Sequence, residues 1–244
     1  TKAYVDSCIA AISGFSADAN SNMVAGDAQT AANVTGANNV AIGADALEAA
    51  TTGAGNVAIG TDALTANTTG SFNIAVGTYA LGATTVGIRN IALGQSALKS
   101  LTNGQSNVAI GDASGCSATT AQGSVFVGTK SGCSSVTGNF NTALGHYALA
   151  GGADNGACEN AAFGAFAMRQ NTTGIHNTAV GHLALGNTSS GSNNTAIGTR
   201  AMNTAQSGPR NDNVAIGCGA MYCIKSGSNN VAVVKWSGGQ FNSH

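Results

Sequence analysis

The acidic, imidazole and thiol side chains that could do chemistry in this chain recur at matched spacings rather than in one cluster. Asp45 and Asp62 stand 17 residues apart. If the backbone returns to the same place every 17 residues, their carboxylates fall within about 5–6 Å, the separation that a retaining glycosidase uses. Both lie in an expected exposed turn without an aromatic sugar platform nearby, so solvated surface acids are the better-supported reading. His146 and His182 also share a phase, two repeats apart, with Ala165 between them. In a threefold assembly three copies of one such His could meet on the axis and hold a metal; as surface or packed imidazoles they need no ligand. Cys116 and Cys133 repeat at the same spacing, which stacks them at about 4.8 Å. That distance admits a disulfide, and it equally suits two small buried apolar side chains. The remaining cysteines, Cys8, Cys158, Cys218 and Cys223, complete no zinc pattern. With no Gly-rich phosphate loop and no ordered Ser/His/Asp set, the sequence calls for no cofactor, no metal and no enzyme.

The element that must position these residues is a repeat. Asn56-Val57-Ala58-Ile59-Gly60 has near-copies beginning at Asn39, Asn73, Asn90 and Asn107, with looser ones at Asn22, Ser124, Asn141, Asn160, Asn177, Asn194, Asn213 and Asn230. Ten of the twelve steps are 17 residues and two are 19. A fixed short period is the mark of a stacked repeat fold. The expected fold is all-β, a parallel β-roll or β-solenoid of about 13 coils, each rising roughly 4.8 Å, so around 60 Å long.

Counted from its Asn, each coil alternates aliphatic, Ala, aliphatic, as in Val40-Ala41-Ile42, with Phe126 the one large residue at the middle position. Alternation indicates a strand with one face buried. The expectation is that Val and Ile face the core and Ala faces out. Gly follows, then Ala-Leu, as in Ala63-Leu64 and Ala80-Leu81, with Met168, Met202 and Met221 replacing Leu. The coil closes on a polar return such as Thr68-Thr69-Gly70. The repeated Asn is expected to form a side-chain amide ladder between coils. The two long steps place extra residues around 151–156 and 207–211, where they should bulge outward. The coils from Asn107 and Ser124 carry Ser114-Gly115 and Ser131-Gly132 in place of Ala-Leu, and Phe126 is expected to compensate.

Composition sets the outer bounds. Of 244 residues 8% are charged and 5% aromatic, with 35 Gly and one Pro. A net charge of −1 without a basic block gives nucleic acid no electrostatic hold. No apolar run approaches the roughly 18 residues of a spanning helix, so no membrane insertion is expected. Neither a signal peptide nor an initiator Met is present, and the chain is expected to begin inside a longer protein or after processing. Three aliphatic side chains per coil contribute about 5–9 kcal/mol, against roughly 25 kcal/mol to order 17 residues. That shortfall, together with a small outward Ala on every rung, leads to the expectation of a homotrimer.

Three segments follow: 1–21, 22–234 and 235–244. In the first, Val5, Ile9 and Ile12 fall on one helical face ahead of Gly14, giving a short N-terminal helix and the end of a coiled coil. The last reads as a cap and holds Trp236, the single Trp.

The run Asn-Val-Ala-Ile-Gly-x-x-Ala-Leu, with Thr-Thr-Gly before the next Asn, resembles repeats of bacteriophage tail-fibre and other trimeric fibre proteins. With a longer period, it is similar to the β-roll head of trimeric autotransporter adhesins. Thr1-Lys2-Ala3-Tyr4-Val5-Asp6-Ser7 resembles a segment that precedes fibre domains in phage tail proteins. The resemblance covers about residues 22–234. It implies a trimeric virion fibre, with other tail proteins as neighbours and a host-surface polysaccharide or protein as receptor. It implies no catalytic residue. It also implies that an end at Asn242-Ser243-His244 fits a chain released from a self-cleaving C-terminal chaperone. Receptor contact is expected at Lys235, Trp236, Gln240 and Phe241, since Trp and charged neighbours are enriched at binding hot spots; Trp236 as a plug of the open core is the plainer alternative. A bacterial surface adhesin head is the second reading. A polysaccharide depolymerase and an ice-binding solenoid, the latter on the Thr51-Thr52 and Thr68-Thr69 ladder, complete the set.

Overall fold

The computed structural model describes residues 15–25, 35–134, 137–151, 156–203, 210–222 and 226–234. The expected helix at 1–13 and the candidate receptor residues Lys235, Trp236, Gln240 and Phe241 lie outside the described residues. Two compact units divide the chain, Thr1–Gly123 and Ser124–His244.

In the first unit β1 (Phe15–Ala17) pairs antiparallel with β2 (Met23–Ala25). Five parallel strands continue from β2: β3 (Val40–Ile42), β4 (Val57–Ile59), β5 (Ile74–Val76), β6 (Ile91–Leu93) and β7 (Val108–Ile110). The register is one coil per step, so Val57 sits beside Ile74 and Ile74 beside Ile91. The second unit repeats this arrangement. It runs through β8 (Val125–Val127), β9 (Thr142–Leu144), β10 (Ala161–Phe163), β11 (Thr178–Val180), β12 (Thr195–Ile197), β13 (Val214–Ile216) and β14 (Val231–Val233), all parallel. The 17-residue parallel β-solenoid is therefore present in each unit.

The facing of the strands is the reverse of the sequence expectation. Ala58, Ala75, Ala92 and Ala109 are fully buried, whereas Ile74 and Ile110 are 37% and 39% exposed and their neighbours half-buried. The interior is filled instead by Ala-Leu: Ala63, Leu64, Ala80, Leu81, Ala97 and Leu98 are all at 0%. Two adjacent residues can both point inward because the backbone does not run extended there. Leu64, Leu81 and Leu98 adopt the left-handed region at φ 52°, 51° and 49°. A left-handed non-Gly residue costs about 1–2 kcal/mol, and a fully buried Leu contributes about 1.5–3 kcal/mol, so burial offsets the strain. The lumen then has room for a Leu from one side and only for Ala from the strand opposite.

Where Leu is missing the strand residue grows. Phe126 is fully buried, and a Cβ built on Gly132, the Leu-equivalent position, would lie 2.3 Å from its Cδ1. The ring occupies the volume that a Leu would take, as expected. The Gly after each strand is held by the next coil. At Gly94 φ is +133°, and an added Cβ would come within 2.5 Å of the Gly111 carbonyl oxygen.

The Asn ladder is the polar spine. Asn73 Nδ2 donates to Asn56 Oδ1 at 3.2 Å and to the Gly87 carbonyl at 2.8 Å. Its own Oδ1 accepts the Asn90 N–H at 3.0 Å and Asn90 Nδ2 at 3.1 Å. Asn56, Asn73, Asn90 and Asn107 are fully buried, so each amide meets the partners that burial demands. The two long steps leave the spine intact. Asn141 and Asn194 reach the carbonyls of Ala157 and Arg210, sixteen residues on instead of fourteen. The strands on either side keep register, Thr142 beside Ala161 and Thr195 beside Val214. The outward bulges expected around 151–156 and 207–211 lie largely outside the described residues.

At the start of the first unit Asp18 takes the place of a preceding Asn. Its carboxylate accepts the Asn22 N–H at 2.9 Å and Asn22 Nδ2 at 2.8 Å. These hydrogen bonds, the side-chain one foremost, hold the Asp18 carboxyl below its ordinary 3.8.

Candidate functional site

Asp45 and Asp62 occur where the repeat puts them, on consecutive turns, both half-buried and both left-handed at φ 54° and 56°. The next residue in that column is Tyr79, whose ring lies under Lys99 Nζ at 4.9 Å. Cys116 and Cys133 belong to different units; Cys133 Sγ lies 3.6 Å from the Ala150 carbonyl of the following coil. The Thr ladder is engaged in the backbone. Thr51, Thr68 and Thr102 Oγ1 donate to the carbonyls of Thr68, Thr85 and Thr119 at 2.9, 3.1 and 3.0 Å. These hydroxyls close the coils.

The structure does gather one cluster that the sequence reading passed over. His146 and His182 are joined by an intervening ring, with Phe166 5.5 Å from His146 and 6.0 Å from His182, edge-on to both. Tyr147 stacks on Phe166, with centroids 5.7 Å apart and planes 17° off parallel. Lys130 Nζ stands 5.4 Å from the centre of the Tyr147 ring, and the Arg169 guanidinium 5.7 Å from that of Phe166. Lys130, Tyr147 and Phe166 are sixth after the leading residue of their coils, and Arg169 is ninth. The same column holds Asp45, Asp62, Tyr79, Ser96 and Ala113 in the first unit, every one at positive φ. It varies while the residue after it stays small, as at Ala46, Ala63, Ala80, Ala97 and Ser114. The left-handed turn fixes each side chain's direction and leaves its chemistry open.

Beside the stacked rings lies a hollow of about 510 Å³ lined by Tyr147, Ala150, Gly151, Phe166, Arg169 and Gln170. Tyr147, Phe166 and Arg169 are half-buried and Gln170 is exposed. Among the described residues no group of three His, Cys, Asp or Glu could hold a metal, and no helix is long and apolar enough to cross a membrane.

Comparisons with protein-family models, with curated proteins and with solved structures find no match to this chain.

Proposed function

We propose that the chain is the shaft of a homotrimeric fibre that attaches to a cell surface, and that it does no catalysis. The observation that carries this reading is the outward aliphatic face. In the first unit Val40, Ile42, Val57, Ile59, Ile74, Val76, Ile91, Leu93, Val108 and Ile110 project from one side of the sheet in two columns. In the second unit the corresponding residues are Leu144, Phe163, Val180, Ile197 and Ile216, between 37% and 47% exposed. Together they leave an apolar surface on the order of several hundred Å² per unit, as large as the largest patch of an ordinary monomer. A continuous apolar stripe on a repeat is buried most economically against copies of itself, and a closed ring leaves no open end. The trimer thus rests on outward Val and Ile, with the Ala columns inside.

A phage tail fibre is the form favoured by the repeat pattern, with a host-surface polysaccharide or protein as receptor and other tail proteins as neighbours. A bacterial adhesin head is the alternative on the same architecture. Native mass in solution tests the assembly: three times the 23.7 kDa of one chain is expected. Ile59→Asp with Ile110→Asp should dissociate it without loss of β-signal. A parent chain that runs as a monomer refutes the fibre. Alanine at Trp236 and Phe241 should abolish cell adsorption while the trimer persists; unchanged adsorption removes the tip as the receptor contact.

A further inference from the structure

The turn column of the second unit carries a charge pattern that a shaft alone does not need. Across its six coils the five residues from the fifth to the ninth position are 129–133, 146–150, 165–169, 182–186, 199–203 and 218–222. They contain Lys130, Arg169, Arg200, His146 and His182 and not one carboxylate. The equivalent positions of the first unit contain Asp27, Asp45, Glu48, Asp62 and Asp112 against the single cation Lys99. Of the second unit's cations, Arg169 lines a hollow in the surface. Among the described residues the ion pair present is His176 with Glu159 at 3.0 Å, and Arg169 makes none.

The rings give the hollow its character. Tyr147 and Phe166 stack on one another, with Lys130 and Arg169 set against them, so ring edges rather than faces border the space. Aromatic edges are the positive part of the ring quadrupole. Arg169 adds a fork of N–H donors that matches a carboxylate, and Gln170 adds an amide that donates and accepts. Ala150 and Gly151 complete the lining. The hollow, about 510 Å³, is open to solvent.

We propose that this hollow binds an acidic saccharide, its carboxylate on Arg169 and its hydroxyls on Gln170 and the Tyr147 hydroxyl. The proposal rests on the reading that the chain recognises a cell surface. It adds a lateral site and a ligand class to the tip. The hollow lies within one chain, so the two ideas fail separately.

Titration of the ¹⁵N-labelled full chain with trigalacturonate, with maltotriose and with sodium acetate tests the site. Saturable shifts at Tyr147, Phe166, Arg169 and Gln170 are expected with trigalacturonate, and weaker ones with maltotriose. Arg169→Gln should weaken trigalacturonate binding about tenfold, the scale of one charge-assisted contact, and remove the preference for the acidic sugar. Phe166→Ala should also weaken binding, and it should fold, because Ala113 fills the same left-handed position at φ 52°. Equal binding of maltotriose, shifts reproduced by acetate alone, or binding unchanged in both variants overturns the proposal. A monomeric native mass overturns the fibre and leaves this titration as informative as before.

Discussion

Asn73→Ala isolates one rung of the amide spine. The substitution deletes four hydrogen bonds: those from Nδ2 to Asn56 and Gly87, and those accepted by Oδ1 from the Asn90 backbone and side chain. At about 1 kcal/mol net each, that is roughly 4 kcal/mol. Water cannot easily substitute, since Asn56, Asn73 and Asn90 are all fully buried, and a stranded N–H adds about 1–3 kcal/mol. In a stacked repeat the loss is local, because each coil is coupled chiefly to its neighbours. Amide hydrogen exchange at Asn90 is therefore the assay. With 1.4 kcal/mol per factor of ten, exchange there should accelerate by at least about three orders of magnitude, while strands several coils away change little. Asn73→Ser should cost about half as much. A hydroxyl can still accept the next backbone amide, as Ser124 Oγ does for Asn141 at 3.2 Å. Exchange at Asn90 within tenfold of the parent, or equal effects of Ala and Ser, would refute the claim that the spine is held by side-chain amides.

Phe126→Ala and Gly132→Leu should each destabilise the second unit, by about 3–5 kcal/mol for the cavity and by overpacking for the added side chain. The double variant should recover at least about 2 kcal/mol in a denaturation cycle, and strict additivity would disprove that the ring stands in for Leu. Gly94→Ala adds a Cβ 2.5 Å from the Gly111 oxygen at φ +133°; a midpoint loss of about 3 kcal/mol or more is expected, and a neutral result contradicts the close stacking. Ser96→Gly removes left-handed strain at φ 56° and should stabilise by up to about 1 kcal/mol in urea. Because its folded pKa is depressed, Asp18 contributes stability above its ordinary 3.8, and that contribution fades as pH falls through the lower folded value. The Asn22 amide resonances should titrate with a midpoint below 3.8 and stop titrating in Asp18→Asn.

The period, the parallel register and the Asn spine were legible because they depend on spacing alone, and spacing survives in Asn39, Asn56, Asn73, Asn90 and Asn107 without interruption. Polarity of the strand was not legible. Alternation states that Val57 and Ile59 share a side opposite to Ala58, and hydrophobicity then assigns the larger pair to the interior. What decides otherwise is the left-handed backbone at Leu64, which fills the lumen from across and leaves only an Ala-sized space. Ala63 beside Leu64 was the available signal, since two neighbours on an extended chain point to opposite sides and cannot both face one lumen. The ring cluster escaped because Tyr147 and Phe166 stand 19 residues apart, across a long step. Reading the sixth position down the column would have brought Lys130, Tyr147 and Phe166 together.

The amide spine also has a sense of direction. Within each unit an Asn rung offers its side-chain oxygen to the coil that follows and its protons to the coil before: in the first Asn22 donates to the Asp18 carboxylate and Asn39 to Asn22, and in the second Asn230 donates back to Asn213 at 3.0 Å. Upper and lower faces of a coil are therefore complementary, like the two sides of an interlocking brick. A gene segment encoding any whole number of coils can be duplicated or lost without creating a mismatched joint. Length in such a molecule is a quantity that inheritance can adjust freely, and reach follows from it.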